Sequence, residues 1–264
     1  MAEILNALMI GDVVGGAGMR ALSRGLPAIR KTYRPDVVVV NAENVAEGYG
    51  LTHSHLADLE SLGVAAVTTG NHVWQKREVF EQNSYAGTLL RPANYPEGVP
   101  GTGSITVSCG ETKVGIINLQ GRLRLTNIDC PFRKADEIIR AFGPAVRVIL
   151  VDFHAEDTEE KEALGQYLAR RVSVVAGTHT HIQTADERII ADATAYITDL
   201  GMTGPVDSVI GFVSAIALER MIGQMPHKMQ VADSRAAVRG VAVEIDRATG
   251  KALSVERFER IPEL

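Results

Sequence analysis

Val172-Ser173-Val174-Val175-Ala176-Gly177-Thr178-His179-Thr180-His181 is the stretch whose reading decides the fold. A short, mostly apolar run bounded by turn residues reads as a strand buried on both faces, the signature of a parallel α/β sheet. In such sheets ligands bind outside the carboxyl ends of the strands. Here the carboxyl end carries two imidazoles separated by one residue, a spacing that lets both converge on one site.

The pattern recurs four times upstream. Leu8-Met9-Ile10 runs into Gly11-Asp12, and Val37-Val38-Val39-Val40 into Asn41-Ala42-Glu43-Asn44. Ala65-Ala66-Val67-Thr68-Thr69 runs into Gly70-Asn71-His72, and Val148-Ile149-Leu150-Val151 into Asp152-Phe153-His154. Singly these have ordinary readings. Gly-Asp can be a turn or helix cap, Glu43-Asn44 a solvated loop, Asn71-His72 a cap, and His154 a satisfied core histidine. Jointly they describe one site, because unrelated accidents would not all fall at strand ends.

Between these strands lie segments of helical periodicity: Arg20 to Tyr33, Thr52 to Leu62 with Thr52 as N-cap, Ala135 to Phe142, and Thr158 to Arg170. Strand–helix alternation predicts parallel pairing with helices on both faces. The middle differs. Turn-rich Arg91–Pro96 and Pro100–Gly103 lead into a predicted hairpin, Ser104–Ser108 and Lys113–Asn118. The tail predicts a helix over Val209–Ile222, then strands Ala237–Ile245 and Leu253–Phe258. Gly204-Pro205 reads as a rigid turn. These signals predict an α/β fold of two packed mixed sheets flanked by helices, in one domain spanning residues 1–264.

The composition is ordinary for a globular protein, 45% hydrophobic and 22% charged. A net charge of −5 without a Lys/Arg cluster argues against duplex nucleic acid as a partner. A small phosphodiester or nucleotide remains compatible, since metal ions can supply the positive charge. Cys109 and Cys130 show no metal-site spacing and read as reduced thiols. The chain has neither a basic, apolar leader nor an apolar run near the ~18 residues of a membrane span. A cytoplasmic protein without a membrane partner is expected. Self-association into a homo-oligomer is expected from the edge strand of a two-sheet domain.

The candidate ligands are Asp12, Glu43, Asn44, Asn71, His154, His179 and His181. Mixed nitrogen and oxygen donors without thiolate suit iron, manganese or zinc. Seven ligands exceed the needs of one catalytic ion with an open position but suit two ions ~3.5–4 Å apart. Two divalent cations carry four positive charges against two from the carboxylates. The remainder can hold a hydroxide and a phosphate charge, which favours phosphoryl chemistry.

In order and spacing, Gly11-Asp12, Asn41-Ala42-Glu43-Asn44, Gly70-Asn71-His72, His154 and Gly177-Thr178-His179-Thr180-His181 resemble the motifs of calcineurin-like metallophosphoesterases. That superfamily places Asp-x-His in its first motif, where this chain has Val14, and a bridging Asp in its second, where this chain has Glu43. Both departures resemble the YmdB-like branch, as does Asp199-Leu200-Gly201-Met202-Thr203-Gly204-Pro205. The resemblance implies a four-layer sandwich and a dinuclear phosphodiesterase acting on 2′,3′-cyclic nucleotides. It implies Asp12 and His181 on one metal, Glu43 bridging, and Asn71, His154 and His179 on the other. Asn44 would contact the first metal or the phosphate. In-line attack by a bridging hydroxide would be assisted by His72 as general acid.

Other readings are distinguishable. Gly16-Ala17-Gly18-Met19-Arg20-Ala21 fits a dinucleotide fingerprint, but five residues separate it from the first strand and the histidines are left unexplained. A phosphomonoesterase or phosphoprotein phosphatase would use the same ligands. A metal-binding regulatory protein with incidental turnover would keep them without fast chemistry. His53, His55 and His227 read as surface-loop or helix-start residues, and Glu47–Thr52 as a plain surface loop, with closure over the substrate as the alternative.

Overall fold

Val37 to Val40 are all buried, and they alternate between two cores. Val38 and Val40 pack with Ala21, Leu22 and Leu26, whereas Val37 and Val39 pack with Val114, Leu150 and Val174. A strand covered on both faces needs no polar positions, so the alternation that marks half-buried strands is missing.

The computed structural model describes residues 3–76, 78–81 and 87–263. In chain order the elements are β1 (Ile4–Ile10), α1 (Gly15–Tyr33), β2 (Val37–Asn41), α2 (His53–Ser61), β3 (Ala66–Thr68) and α3 (Glu78–Glu81). There follow β4 (Ser104–Cys109), β5 (Thr112–Gln120), α4 (Pro131–Phe142), β6 (Val148–His154), α5 (Thr158–Leu168) and β7 (Val174–Thr178). The chain continues with β8 (Arg188–Ile190), β9 (Thr194–Ile197), β10 (Gly204–Pro205), α6 (Ser214–Gly223), β11 (Ala236–Asp246) and β12 (Ala252–Arg260).

Two six-stranded sheets result. The first runs β10-β11-β1-β2-β3 with β12 also on β11; β1, β2 and β3 are parallel, and β11 is antiparallel to β1. The second runs β4-β5-β6-β7-β9-β8, with β5, β6, β7 and β9 parallel between two antiparallel edges. Three cores separate four layers. One lies between α1, α2 and the first sheet, one between the sheets, and one between the second sheet and α4 and α5. The two-sheet α/β architecture expected from the sequence is the one observed.

Several element boundaries move. α1 begins at Gly15 rather than Arg20, because Gly18 lets the helix approach the Thr203 carbonyl; a Cβ there would lie 2.3 Å from that oxygen. α4 starts at Pro131, whose missing N–H is harmless in a first turn. The helix predicted over Val209–Ile222 covers only Ser214–Gly223, since Val209 and Phe212 pair as a bridge. Gly204-Pro205 pairs with Ala236-Ala237 as β10 rather than standing as a free turn. The β8–β9 hairpin was not anticipated. It turns through Ala191 and Asp192, both left-handed at φ 50° and 54°, without the glycine that normally marks such a turn.

Candidate metal centre

The inter-sheet face of each central strand is apolar at first and polar at its carboxyl end. After Val37 and Val39 comes Asn41, after Ala66 comes Thr68, after Val148 and Leu150 comes Asp152, and after Val174 and Ala176 comes Thr178. A period of two places these side chains on one face. Asp152 is buried and accepts from the Asn41 amide at 3.0 Å, the Thr178 hydroxyl at 2.8 Å, and the Thr68 hydroxyl. Burial raises its carboxyl to about 6, against those three donors. Thr178 gives its proton to Asp152, so its oxygen accepts from His154 Nδ1 at 3.0 Å. That fixes the His154 tautomer with the lone pair on Nε2.

His154 Nε2 is the focus of the site. Asn71 Oδ1, His179 Nδ1 and Glu43 Oε1 each lie 3.0 Å from it. First-row ions bind nitrogen and oxygen at about 2.0–2.2 Å, which separates neighbouring octahedral ligands by about 3 Å. The Glu43, His154 and His179 ligand atoms all fall within 4.8 Å of one another. Asp12 Oδ1 is 3.7 Å from His154 Nδ1, and Asp12 Oδ2 accepts the His179 backbone N–H at 3.2 Å.

Electrostatics and hydrogen-bond counting favour a cation here. Asp12 Oδ1, both Glu43 oxygens and Asn44 Oδ1 are buried without a hydrogen-bond partner. Such orphaned acceptors are rare and costly in native interiors. Burial pushes Glu43 up to about 7 and, reinforced by Asp199, Asp12 well above the usual carboxylate range. Burial and the neighbouring His154 lower His179 to about 2, and burial with the Lys161 ammonium holds His154 well below the usual imidazole range. Neutral imidazoles and donor-starved oxygens make a pool of lone pairs, which fits metal ions of the class named from the sequence.

The His179-Thr180-His181 turn is held from behind. His179 and His181 both take left-handed backbone, φ 101° and 67°, conformations that cost a non-glycine residue of order 1–3 kcal/mol each. Between them Thr180 donates its N–H and hydroxyl to Asp199 Oδ2 at 3.1 and 2.8 Å. Asp199 is itself paired with the fully buried Lys161 at 2.7 Å. His181 Nδ1 donates to the Ile210 carbonyl at 2.9 Å, which leaves Nε2 as its lone-pair nitrogen.

The seven predicted ligands are brought together unequally. Glu43, Asn71, His154 and His179 converge on one point, with Asp12 beside them. Asn44 uses its amide nitrogen on the Gly48 carbonyl at 2.9 Å and leaves Oδ1 unpartnered. Val14 is buried and pairs backbone-to-backbone with Asn44, so no side chain replaces the histidine of the larger superfamily. His72 sits outside the cluster, its Nε2 3.4 Å from the Asn71 amide nitrogen and its ring edge-on to Tyr49 with centroids 4.9 Å apart. His55 completes a capping box with Thr52 at the start of α2. Sequence reasoning missed the supports Asn41, Asp152, Thr178 and Lys161. The spacing of Asp152 and His154, two apart on one strand, was the available signal.

Comparison with known proteins identifies the family. A sequence model of the YmdB-like protein family matches residues 8–258. The chain is 44% identical over 254 residues to a Bacillus subtilis protein named 2′,3′-cyclic-nucleotide 2′-phosphodiesterase, covering 96% of each. A solved Mycoplasma pneumoniae structure, described as a novel phosphatase, superposes with a TM-score of 0.91 at 33% identity, covering 100% of this chain and 95% of that one. A Staphylococcus aureus structure described as a candidate 5′-nucleotidase shares the fold, with a TM-score of 0.62 at 15% identity over 99% of this chain and 55% of that one. The match of motifs, fold and relatives over nearly the whole length makes the chain a member of the YmdB-like family, a hydrolytic phosphoesterase.

Proposed function

We propose that the chain is a two-metal phosphodiesterase acting on 2′,3′-cyclic nucleotides. The observation that carries this reading is His154 Nε2 ringed at 3.0 Å by Asn71, His179 and Glu43, next to unpartnered carboxylate oxygens. The name of the Bacillus subtilis relative supports the substrate class. Asn71, His154 and His179 would hold one ion, Asp12, Asn44 and His181 the other, with Glu43 shared; iron or manganese suits these donors best, and zinc is tolerated. Such ions supply Lewis-acid polarisation of the phosphate and a water of lowered pKa.

The chain's own residues handle the rest. Hydrolysis adds the elements of water across one P–O bond: hydroxyl to phosphorus, proton to the departing ribose oxygen. A ribose alkoxide is a poor leaving group, so a proton donor is required. His72 stands beside the ligand cluster without belonging to it, which supports that role.

The test is a substrate panel on protein of known metal content. His179→Ala and Asp12→Ala should abolish hydrolysis of both 2′,3′-cyclic AMP and bis-p-nitrophenyl phosphate; undiminished activity would overturn the reading. His72→Ala should lower kcat on cyclic AMP by about 10²-fold or more but spare the nitrophenyl ester, whose leaving group needs little protonation. Equal losses on both would remove the general-acid role. Mycoplasma relatives named phosphatase/phosphodiesterase favour including p-nitrophenyl phosphate, since preferential hydrolysis of the monoester would assign a phosphomonoesterase instead.

A further inference from the structure

A cleft of about 1080 Å³ begins where the candidate metal centre stops. None of the seven ligands, nor His72, lines it, yet it adjoins them. Val45, next after Asn44, is in its wall, and so is Tyr49, whose ring meets His72. At Gly50, between these walls, an added Cβ would lie 3.1 Å from Lys76 Cγ and 3.3 Å from the His72 carbonyl oxygen. The cleft therefore wraps the same loop that carries Asn44.

Its charge runs against that of the molecule. The chain as a whole carries −5. Among the described residues, Lys76, Arg220 and Lys228 line the cleft without an ion-pair partner. Arg20 is paired with Asp233, so the two cancel. That leaves Glu47 as the unmatched lining carboxylate and a balance of two positive charges. An aromatic ring and spaced cations in one groove are the combination that holds a single strand, and here the ring is Tyr49, which also meets His72 and Phe212.

Size points the same way. Pockets that enclose a drug-sized ligand measure about 300–1,000 Å³, so a mononucleotide seated on the metals would leave this volume empty. A 2′,3′-cyclic phosphate occupies both ribose hydroxyls, so a longer substrate can extend only from its 5′ oxygen. We propose that the cleft binds the upstream nucleotides of a single-stranded RNA whose 3′ end carries the 2′,3′-cyclic phosphate. The substrate class is then RNA ends rather than free cyclic nucleotides. This rests on the phosphodiesterase reading for its chemistry, but not for its binding.

Two measurements separate the claims. The first is fluorescence anisotropy of a 5′-fluorescein-labelled hexa-adenylate ending in a 3′-phosphate, titrated with metal-loaded protein at several salt concentrations. Three cation–phosphate contacts predict a slope of log K against log[salt] near −2, at about −0.7 per contact on a single strand. Arg220→Glu with Lys228→Glu, both at positions exposed in the structure, should weaken binding about tenfold or more and bring the slope above −1. An unchanged melting temperature verifies the fold.

The second compares kcat/KM on hexa-adenylate 2′,3′-cyclic phosphate with that on 2′,3′-cyclic AMP. The wild-type ratio should be about tenfold or more, and should fall toward one in the double variant. A wild-type ratio near one, or binding equal in wild type and double variant, overturns the cleft assignment and leaves the phosphodiesterase reading standing. Salt-dependent, variant-sensitive RNA binding without hydrolysis of either compound supports the cleft and sinks the chemistry.

Discussion

At Gly70 the chain passes so close to the ligands that no side chain fits. A Cβ there would lie 2.0 Å from His154 Cδ2 and 2.3 Å from Glu43 Oε2, closer than non-bonded atoms approach. Both neighbours are buried, and His154 is fixed through Thr178 and Asp152, so the imidazole cannot swing aside cheaply. Gly70→Ala should displace the shared carboxylate or the focal imidazole and lower metal affinity by about 10–100-fold, the range seen when a ligand's supports are disturbed. Metal content after dialysis against a graded chelator checks this, and wild-type retention would contradict it. The ligands themselves were legible because each terminates an apolar run. Their supports were not. The contact from His154 to Thr178 depends on the β6–β7 register, which pairs those two residues across the sheet, and a register between distant strands leaves no local mark.

At the scale of elements, periodicity located every strand of the parallel blocks before β8 and erred where packing decides. α1 gains its first turn from a close glycine contact with Thr203, and α6 loses its predicted start to a bridge between Val209 and Phe212. That loss has a use: the freed loop presents the Ile210 carbonyl to His181. α5 was placed from its first residue but its cap was not. Asp157 is the N-cap, accepting the Glu159 and Glu160 N–H groups at 3.0 and 3.3 Å. A capping carboxylate satisfies orphan donors and favours the helix dipole, so Asp157→Ala should cost about 1 kcal/mol. For a domain of this size that lowers the melting temperature by about 2–4 °C. Thermal unfolding of the metal-loaded protein measures it, and no change would mean that solvent caps the helix equally well.

Across the whole molecule, the two sheets bring Asp12, Glu43, Asp152 and Asp199 into one buried region, with Lys161 as the fully buried lysine beside them. Neither sheet alone makes this site: Asp12, Glu43 and Asn71 follow strands of the first, while His154, His179 and His181 belong to the second. Bound cations should therefore tie the two halves together and raise stability by mass action. Removing them should also change its pH dependence. In the metal-free fold Glu43 sits at about 7 against an ordinary 4.5, and Asp152 at about 6 against 3.8. An acid whose pKa is raised on folding binds more protons folded than unfolded. Its stabilisation is full below the ordinary pKa, declines as pH climbs through the folded one, and is flat above. In chelator-treated protein the carboxylates' share of the stability should thus decline from pH 5.5 to pH 7.5, while His154 and His179, held below the ordinary imidazole range, contribute the opposite slope over the same window. In metal-loaded protein acid instead displaces the ions, because the ligands must be deprotonated to bind. Titrations common to both forms, such as surface ion pairs, cancel in the difference between the two melting curves. That difference should widen from pH 5.5 to pH 7.5, and parallel curves would show that the buried carboxylates do not hold the metal.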